Sequence, residues 1–324
     1  MILTKRDLAQ LAELRLAQWR QHGPLAGAPR LRRLFLRDFT RLLVRPAPDR
    51  VTEVLATDGR LRAALSIGRE TLPHIGRPAP LCRLWRVADD DAARRWLAAK
   101  LRAHADLLGK GTTVNLAPED AKLLPTFARL GIHPEALVLA GDPRRALRGL
   151  RRVYGDLGGA ELPDGLRIAP VTTAAHVRES LRIIETEFRR NPRFGWFVAS
   201  PHFLGILRQK LEGARKERRP SEFVVLDGRR VVGHFGFHFK KTGWLGRPTA
   251  DLGLNFSAEL QGRGFAKHAY HHLLTQAAAR GARIFVGSTG QTPVLRLSQV
   301  MERRIIAYSL RAGEPLFPPG HFRC

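Results

Sequence analysis

Between Asp251 and Gly281 the apolar positions of this chain change period. Leu252, Leu254 and Phe256 alternate with Asp251, Gly253 and Asn255, the period of a strand with one apolar face. Residues Glu259–Phe265 interrupt the pattern with two glycines, Gly262 and Gly264. Ala266, Ala269, Tyr270, Leu273, Leu274, Ala277 and Ala278 then fall on one helical stripe, and Gly281 is its stop. A strand feeding a glycine turn at a helix N-terminus gathers free backbone N–H groups at a positive dipole end, a geometry that binds phosphate. Arg263 and Lys267 add positive charge there.

The same alternation runs through the chain in two rounds. In the first, Lys5–Gln21 and Arg30–Val44 read as helices, the second ended by Pro46 and Pro48. Val51–Ala56 and Leu61–Ile67 flank Asp58-Gly59 as a hairpin. Strand Leu81–Val87, helix Ala92–Leu108, strand Thr112–Leu116, a helix near Pro118–Leu130 and strand Ala136–Ala140 complete the round. In the second, strand Leu166–Pro170 leads to a helix capped by Thr172 or Thr173 and running to Arg190, with Val177, Leu181, Ile184 and Phe188 on its stripe. A helix at His202–Glu212 and a hairpin of Glu222–Leu226 and Val231–Phe239, turning at Asp227-Gly228, follow. After the central strand, turn and helix come strand Ala282–Ser288, helix Pro293–Met301 and strand Ile305–Leu310. The expectation is a mixed α/β fold used twice, over residues 1–143 and 164–324. Residues 144–163, basic and helical at first and glycine-rich later, read as the linker.

Composition narrows this picture. A length of 324 residues suffices for two cores, and 44% hydrophobic residues is the content of a globular protein. No run approaches the ~20 apolar residues of a membrane helix, and the N-terminus lacks the pattern of a signal peptide. A cytoplasmic protein is expected. Cys82 and Cys324 are the only cysteines, too few for a disulfide framework or a metal knuckle. The net charge of +26 favours anionic partners. Yet 46 of the 55 basic residues are arginine, the skew of a GC-rich coding sequence, and pairs such as Arg94/Arg95 and Arg218/Arg219 are scattered along the chain. They do not form the basic stripe interleaved with aromatics that nucleic acid needs, so tRNA or another nucleic acid is a secondary expectation.

The turn itself, Gln261-Gly262-Arg263-Gly264-Phe265-Ala266, matches neither common nucleotide pattern. It resembles the Q/R-x-x-G-x-G/A signature of the GNAT superfamily of acyl-CoA-dependent acyltransferases, whose turn amides hold the coenzyme A pyrophosphate. The strand before it, the helix after it and the strand beyond agree with that resemblance. It covers residues 165–312 with motif and element order, and residues 1–142 by element order alone. Where the first half should carry the turn it has Ala88-Asp89-Asp90-Asp91-Ala92, whose carboxylates suit a helix dipole but repel a pyrophosphate. The first half therefore reads as a GNAT-like domain without coenzyme A, serving to buttress the second or shape its substrate cleft.

The resemblance implies direct attack of an amine on a thioester, with acetyl-CoA the default donor and a longer acyl-CoA allowed. It places the cofactor on Leu254, Asn255 and Phe256, on Gln261 through Ala266, and on Gln291, where the family often has an Asn. It puts Ser298 where many members have the Tyr that reprotonates the thiolate, with Tyr308 a substitute. Glu302-Arg303 stands in for the usual Gly-Phe. For the base, His234, Gly236 and His238 share one strand face, and Asp251, Gly253 and Asn255 share another. Antiparallel pairing would bring them together, the glycines leaving room for a ligand. Asp251, also acidic in many relatives, His234 and His238 are the candidates. No metal is expected, since two histidines four residues apart on a strand are ~13 Å apart. Glu185 and Glu187 read first as a solvated helix face, and His271-His272 as surface. A tRNA-dependent transferase of the Fem type and a non-catalytic acyl-CoA-binding module are the alternatives.

Overall fold

The computed structural model describes residues 3–43, 50–72, 76–87, 90–190, 201–318 and 321–322. Pro46, Pro48, Asp89 and Cys324 lie outside them.

In the first half, helices α1 (Lys5–Arg20) and α2 (Ala28–Leu43) precede strands β1 (Val51–Thr57), β2 (Arg60–Leu72) and β3 (Arg77–Arg86). Helix α3 (Asp91–Ala103), strand β4 (Thr113–Leu116), helix α4 (Leu124–Arg129) and strand β5 (Ile132–Gly141) follow. Helix α5 (Pro143–Tyr154) joins the halves. The second half holds β6 (Arg167–Pro170), α6 (Ala174–Arg190), α7 (Pro201–Ala214), β7 (Glu222–Asp227), β8 (Arg230–Lys240) and β9 (Thr249–Phe256). It closes with α8 (Ala266–Ala279), β10 (Ile284–Thr289), α9 (Thr292–Val300) and β11 (Arg304–Ala312). The expected elements are thus present in the expected order. The segment expected as one helix to Leu108 stops at Ala103, with a separate 3-10 turn at Ala105–Leu107.

The two rounds share one mostly antiparallel sheet of eleven strands, ordered β1-β2-β3-β4-β11-β5-β10-β9-β8-β7-β6. The halves exchange their last strands. β11 pairs with β4 and β5 of the first half, while β5 pairs with β10 of the second. Sequence patterning places each strand but cannot choose its neighbour, because either pairing buries the same alternating residues.

Residues 144–163, read as a linker, begin with the packed helix α5. Asp142 caps it, its carboxylate accepting from the Arg144 and Arg145 amides. Ala146 and Leu150 are fully buried in the core of the second half. At Gly149 a Cβ would strike the Val300 carbonyl, so only glycine lets α5 lie this close to α9.

On one sheet face α8 packs Ala269, Leu273, Leu274 and Ala277 against Phe235, Phe237 and Phe285. Each large side chain buried this way contributes ~1.5–3 kcal/mol. On the other face α6 and α7 cover β7 and the start of β8 through Val177, Ile184, Leu211, Val224 and Val231. That face continues across the molecule: Trp19 and Leu25 of the first half pack with Trp244, Leu245, Ile284 and Val286 of the second. Each half reaches the other's hairpin loop. Ala26 donates its amide to the Leu245 carbonyl (2.8 Å), and His202 of α7 lies against Gly76 between β2 and β3.

Candidate active site

Strands β9 and β10 run parallel and pair from Thr249/Ile284 to Asp251/Val286. Beyond that they are drawn apart. β9 stays paired to β8 through Phe256, and β10 stays paired to β5 through Thr289. A wedge therefore opens at the carboxyl ends of two parallel strands, the usual place for a ligand in a sheet of this kind. The helices that follow these strands, α8 and α9, both begin at its mouth.

The glycine turn lies at the N-terminus of α8. Gly262 and Gly264 have φ of +82° and +72°, and a Cβ on either would meet nothing within 4 Å. Their glycines serve backbone conformation rather than packing. Among the described residues no side chain caps α8; the His268 amide reaches the Phe265 carbonyl (3.0 Å), which leaves the Ala266 and Lys267 amides at the open helix end. Phe265 is buried against Phe256 and anchors the turn to the core. Gln261 folds back, its amide donating to the Phe256 carbonyl (3.2 Å) and to Glu187 (2.9 Å). Glu187, expected on a solvated face, thus ties α6 to the turn; Glu185 pairs with Arg189. Gln291 sits at the N-cap of α9 without a side-chain cap bond. Open left-handed glycines, uncapped amides and the adjoining wedge fit a pyrophosphate followed by an extended chain.

The first half shows what the same positions look like when filled. Asp90 caps α3, one carboxylate oxygen accepting from the Ala93 amide (2.9 Å) and the other pairing with Arg62 (2.5 Å). Burial acts to raise this carboxyl, but the amide bond and Arg62 outweigh it and hold it below the ordinary range. The β3–β4 pairing ends at Cys82/Val114, and beyond it Arg86, 1% exposed, fills the gap. Its guanidinium bonds Asp120, the Glu119 carbonyl (2.7 Å) and the Val87 carbonyl (2.8 Å).

The predicted polar face on β8 and β9 forms. His234 lies opposite Asn255, Gly236 opposite Gly253 and His238 opposite Asp251, and directly opposed residues share a face. Their surroundings differ. His238 is exposed, and Asp251 pairs with Lys240 (3.2 Å). His234 is 5% exposed, its Nε2 3.0 Å from Glu222 Oε2, while Lys210 of α7 approaches Glu222 Oε1 at 2.6 Å. Nδ1 of His234 is buried and has no hydrogen-bond partner among the described residues. Burial acts to raise the Glu222 carboxyl, but His234 and Lys210 prevail and hold it below the ordinary range. Of the two glycines expected to make room, Gly253 opens onto free space. Gly236 does not, because the Glu222 carboxylate lies across it.

Other expected residues are placed away from free chemistry. Ser298, 3% exposed, donates to the Val294 carbonyl (2.8 Å) and accepts from Arg303 (3.2 Å). Tyr308 packs against the first-half core. His272 is not surface: it stands edge-on to Phe223 at 4.5 Å, and burial lowers its pKa. Arg303, in the family's Gly-Phe position, lies half-buried over the Phe285 ring and bonds the Leu139 and Gly287 carbonyls, tying exchanged strand β5 to β10.

Residues 182–297 match the model of the acetyltransferase (GNAT) family. Among solved structures, a GCN5-related N-acetyltransferase from Sphaerobacter thermophilus aligns over 97% of this chain and 96% of its own, with a TM-score of 0.60 at 15% identity. A tandem GNAT protein from the clavulanic acid biosynthesis pathway aligns over 96% and 98%, with a TM-score of 0.50 at 13% identity. No curated protein matches the sequence. Residues 182–297 are thus similar to a GNAT domain, and the whole chain has the fold of tandem GNAT proteins.

Proposed function

We propose that this protein is an acyl-CoA-dependent N-acyltransferase, acetyl-CoA being the default donor, with one working site in the second half. The uncapped glycine turn of α8, at the mouth of the wedge between β9 and β10, carries the reading. Its amides, with Arg263 and Lys267, would hold the pyrophosphate, and Leu254–Phe256 would align the pantetheine and acyl group along the wedge. The donor supplies an acyl carbon activated as a thioester. With Asp90 on the helix end and Arg86 in the gap, the first half has no equivalent vacancy, so its role is to wall the acceptor side through Trp19 and Leu25.

The acceptor is an amine entering on the face of β8 and β9 that carries His234. Asp251 and His238 stand four residues along from Asn255 and His234, about 13 Å away, and line the outer cleft. His234 is directly across from Asn255 and is the group placed to take the amine proton, directly or through water. Glu222 lies 3.0 Å from its Nε2, and in this reading the amine proton goes to Nδ1. Ser298, with both lone pair and proton engaged, is structural in this mechanism.

Calorimetric titration with coenzyme A and acetyl-CoA, alongside thermal melts at low and high salt, tests the reading. Ligand at ~100 times its dissociation constant adds ~2.7 kcal/mol of stability. A shift that persists in salt supports the cradle, and its absence with every acyl-CoA overturns it. Binding without acyl transfer to any of a panel of amines would leave a binding module.

A further inference from the structure

Helix α5 has its inner side fixed against α8 and α9, and its outer side is unlike the rest of the surface. Arg144, Arg145, Arg148, Arg151 and Arg152 are all exposed, and the helix ends in Val153 and Tyr154. These two are the large apolar side chains left most open among the described residues, at 52% and 39%. An exposed tyrosine alone means little. This one lies 5.0 Å, ring centroid to Nζ, from Lys267, which belongs to the first turn of α8 directly after the glycine turn. Arg151 is three residues before Tyr154 and so its neighbour on the helix surface. Arg152 is drawn the other way, toward Glu302 at 3.7 Å, and the Asp156 carboxylate accepts from the Gly158 amide.

An aromatic plane, an ammonium and a guanidinium thus adjoin the pyrophosphate cradle on one side. The part of coenzyme A beyond its pyrophosphate is an adenosine bearing a 3′-phosphate, a flat base beside a dianion. We propose that the last turn of α5 binds this 3′-phosphoadenosine end, with Tyr154 against the base and Arg151 on the 3′-phosphate, while Lys267 bridges from Tyr154 to the pyrophosphate. Aromatic stacking accepts a base without needing groove readout, and guanidinium suits phosphate by bidentate bonding. The C-terminal end of a helix is the wrong dipole end for an anion, so side-chain cations must supply the attraction. The inference rests on the glycine turn being the cofactor cradle. It adds that a segment outside residues 182–297, the helix joining the halves, completes the site.

The test is calorimetric titration of the full chain with coenzyme A and with 3′-dephospho-coenzyme A, each variant first checked for an unchanged ligand-free melting temperature. Wild type should prefer coenzyme A. Arg151→Ala should erase most of that preference while leaving dephospho-coenzyme A binding as it was. Tyr154→Ala should weaken both ligands about tenfold, within the range of base–aromatic stacking, and Tyr154→Phe should restore them. Arg144→Ala, about 15 Å away along the helix, should change nothing. If Tyr154→Ala and Arg151→Ala bind both ligands as wild type does, the proposal fails while the cradle stands. If wild type binds neither ligand, the cradle itself is wrong and the proposal falls with it.

Discussion

The carboxylate of Glu222 occupies the space that a Cβ on Gly236 would need. The two residues are cross-strand partners on β7 and β8, and the missing side chain lets the carboxylate lie flat over the strand to reach His234. Gly236→Ala should push Glu222 off His234 and cost ~1–3 kcal/mol of stability, the range for overpacking a filled site. If His234 is the base, turnover should fall by up to about 100-fold with little change in coenzyme A affinity. In a Glu222→Ala background the same change should cost less, since the carboxylate is gone and the Ser221 carbonyl, 2.8 Å from that Cβ, is the obstruction left. Additive effects in that double-mutant cycle would separate the glycine from the carboxylate.

Glu222 also predicts an acid limit. Its carboxyl is held low in the fold because His234 and Lys210 outweigh the burial that would raise it. In the unfolded chain a glutamate titrates at about 4.3. The unfolded state therefore takes up its proton first as pH falls. The stabilisation is complete above that value and is lost as pH drops through the lower folded one. Melting curves from pH 7 downward should steepen below about 4.5 in wild type. Glu222→Gln should melt lower at neutral pH yet fall less steeply in acid. An unchanged acid slope in that variant would show that other carboxylates set it.

The site was unevenly legible in the sequence, for reasons that can be named. The glycine turn was readable because positive φ and an uncapped helix start leave a mark in residue type. So was the face shared by His234, His238, Asp251 and Asn255, because strand alternation fixes it. Glu222 was not. Counting back from the Asp227-Gly228 turn pairs it with Phe235, but a bulge between Val225 and Leu226 shifts the ladder by one and sets it opposite Gly236. Nor was the exchange of β5 and β11, whose alternating apolar residues suit either neighbour. Helix α5 was visible as helix, yet its arginines concealed a narrow buried edge of Pro143, Ala146, Gly149 and Leu150.

The open space around Gly264 separates charge from sterics at the cradle. Its φ of +72° is one that Asn and Asp tolerate better than other side chains, and a Cβ there meets nothing. Gly264→Asn and Gly264→Asp should therefore fold alike, with closely similar melting temperatures. Only the second brings a negative charge to the uncapped amides. Its coenzyme A affinity should be weaker than that of the Asn variant by at least about tenfold, and the gap should narrow as salt rises. Equal affinities would place the pyrophosphate elsewhere.

Cutting the chain between Gly158 and Gly159 tests the exchanged strands. The fragment 159–324 contains the whole glycine turn, wedge and polar face, so a self-sufficient second domain would fold and bind coenzyme A alone. The sheet argues against that. Without β5, strands β10 and β11 each lose a partner and present open edges, which pair indiscriminately. Without α5, the core around Leu273 and Met301 loses Ala146 and Leu150. Fragment 159–324 expressed by itself should aggregate or lack a cooperative melt. Co-expressed with fragment 1–158, it should purify as a complex that melts in one transition and binds coenzyme A like the intact chain. A monomeric 159–324 that melts cooperatively and binds coenzyme A would mean that β5 is a dispensable neighbour, and the first half no more than a wall for the cleft.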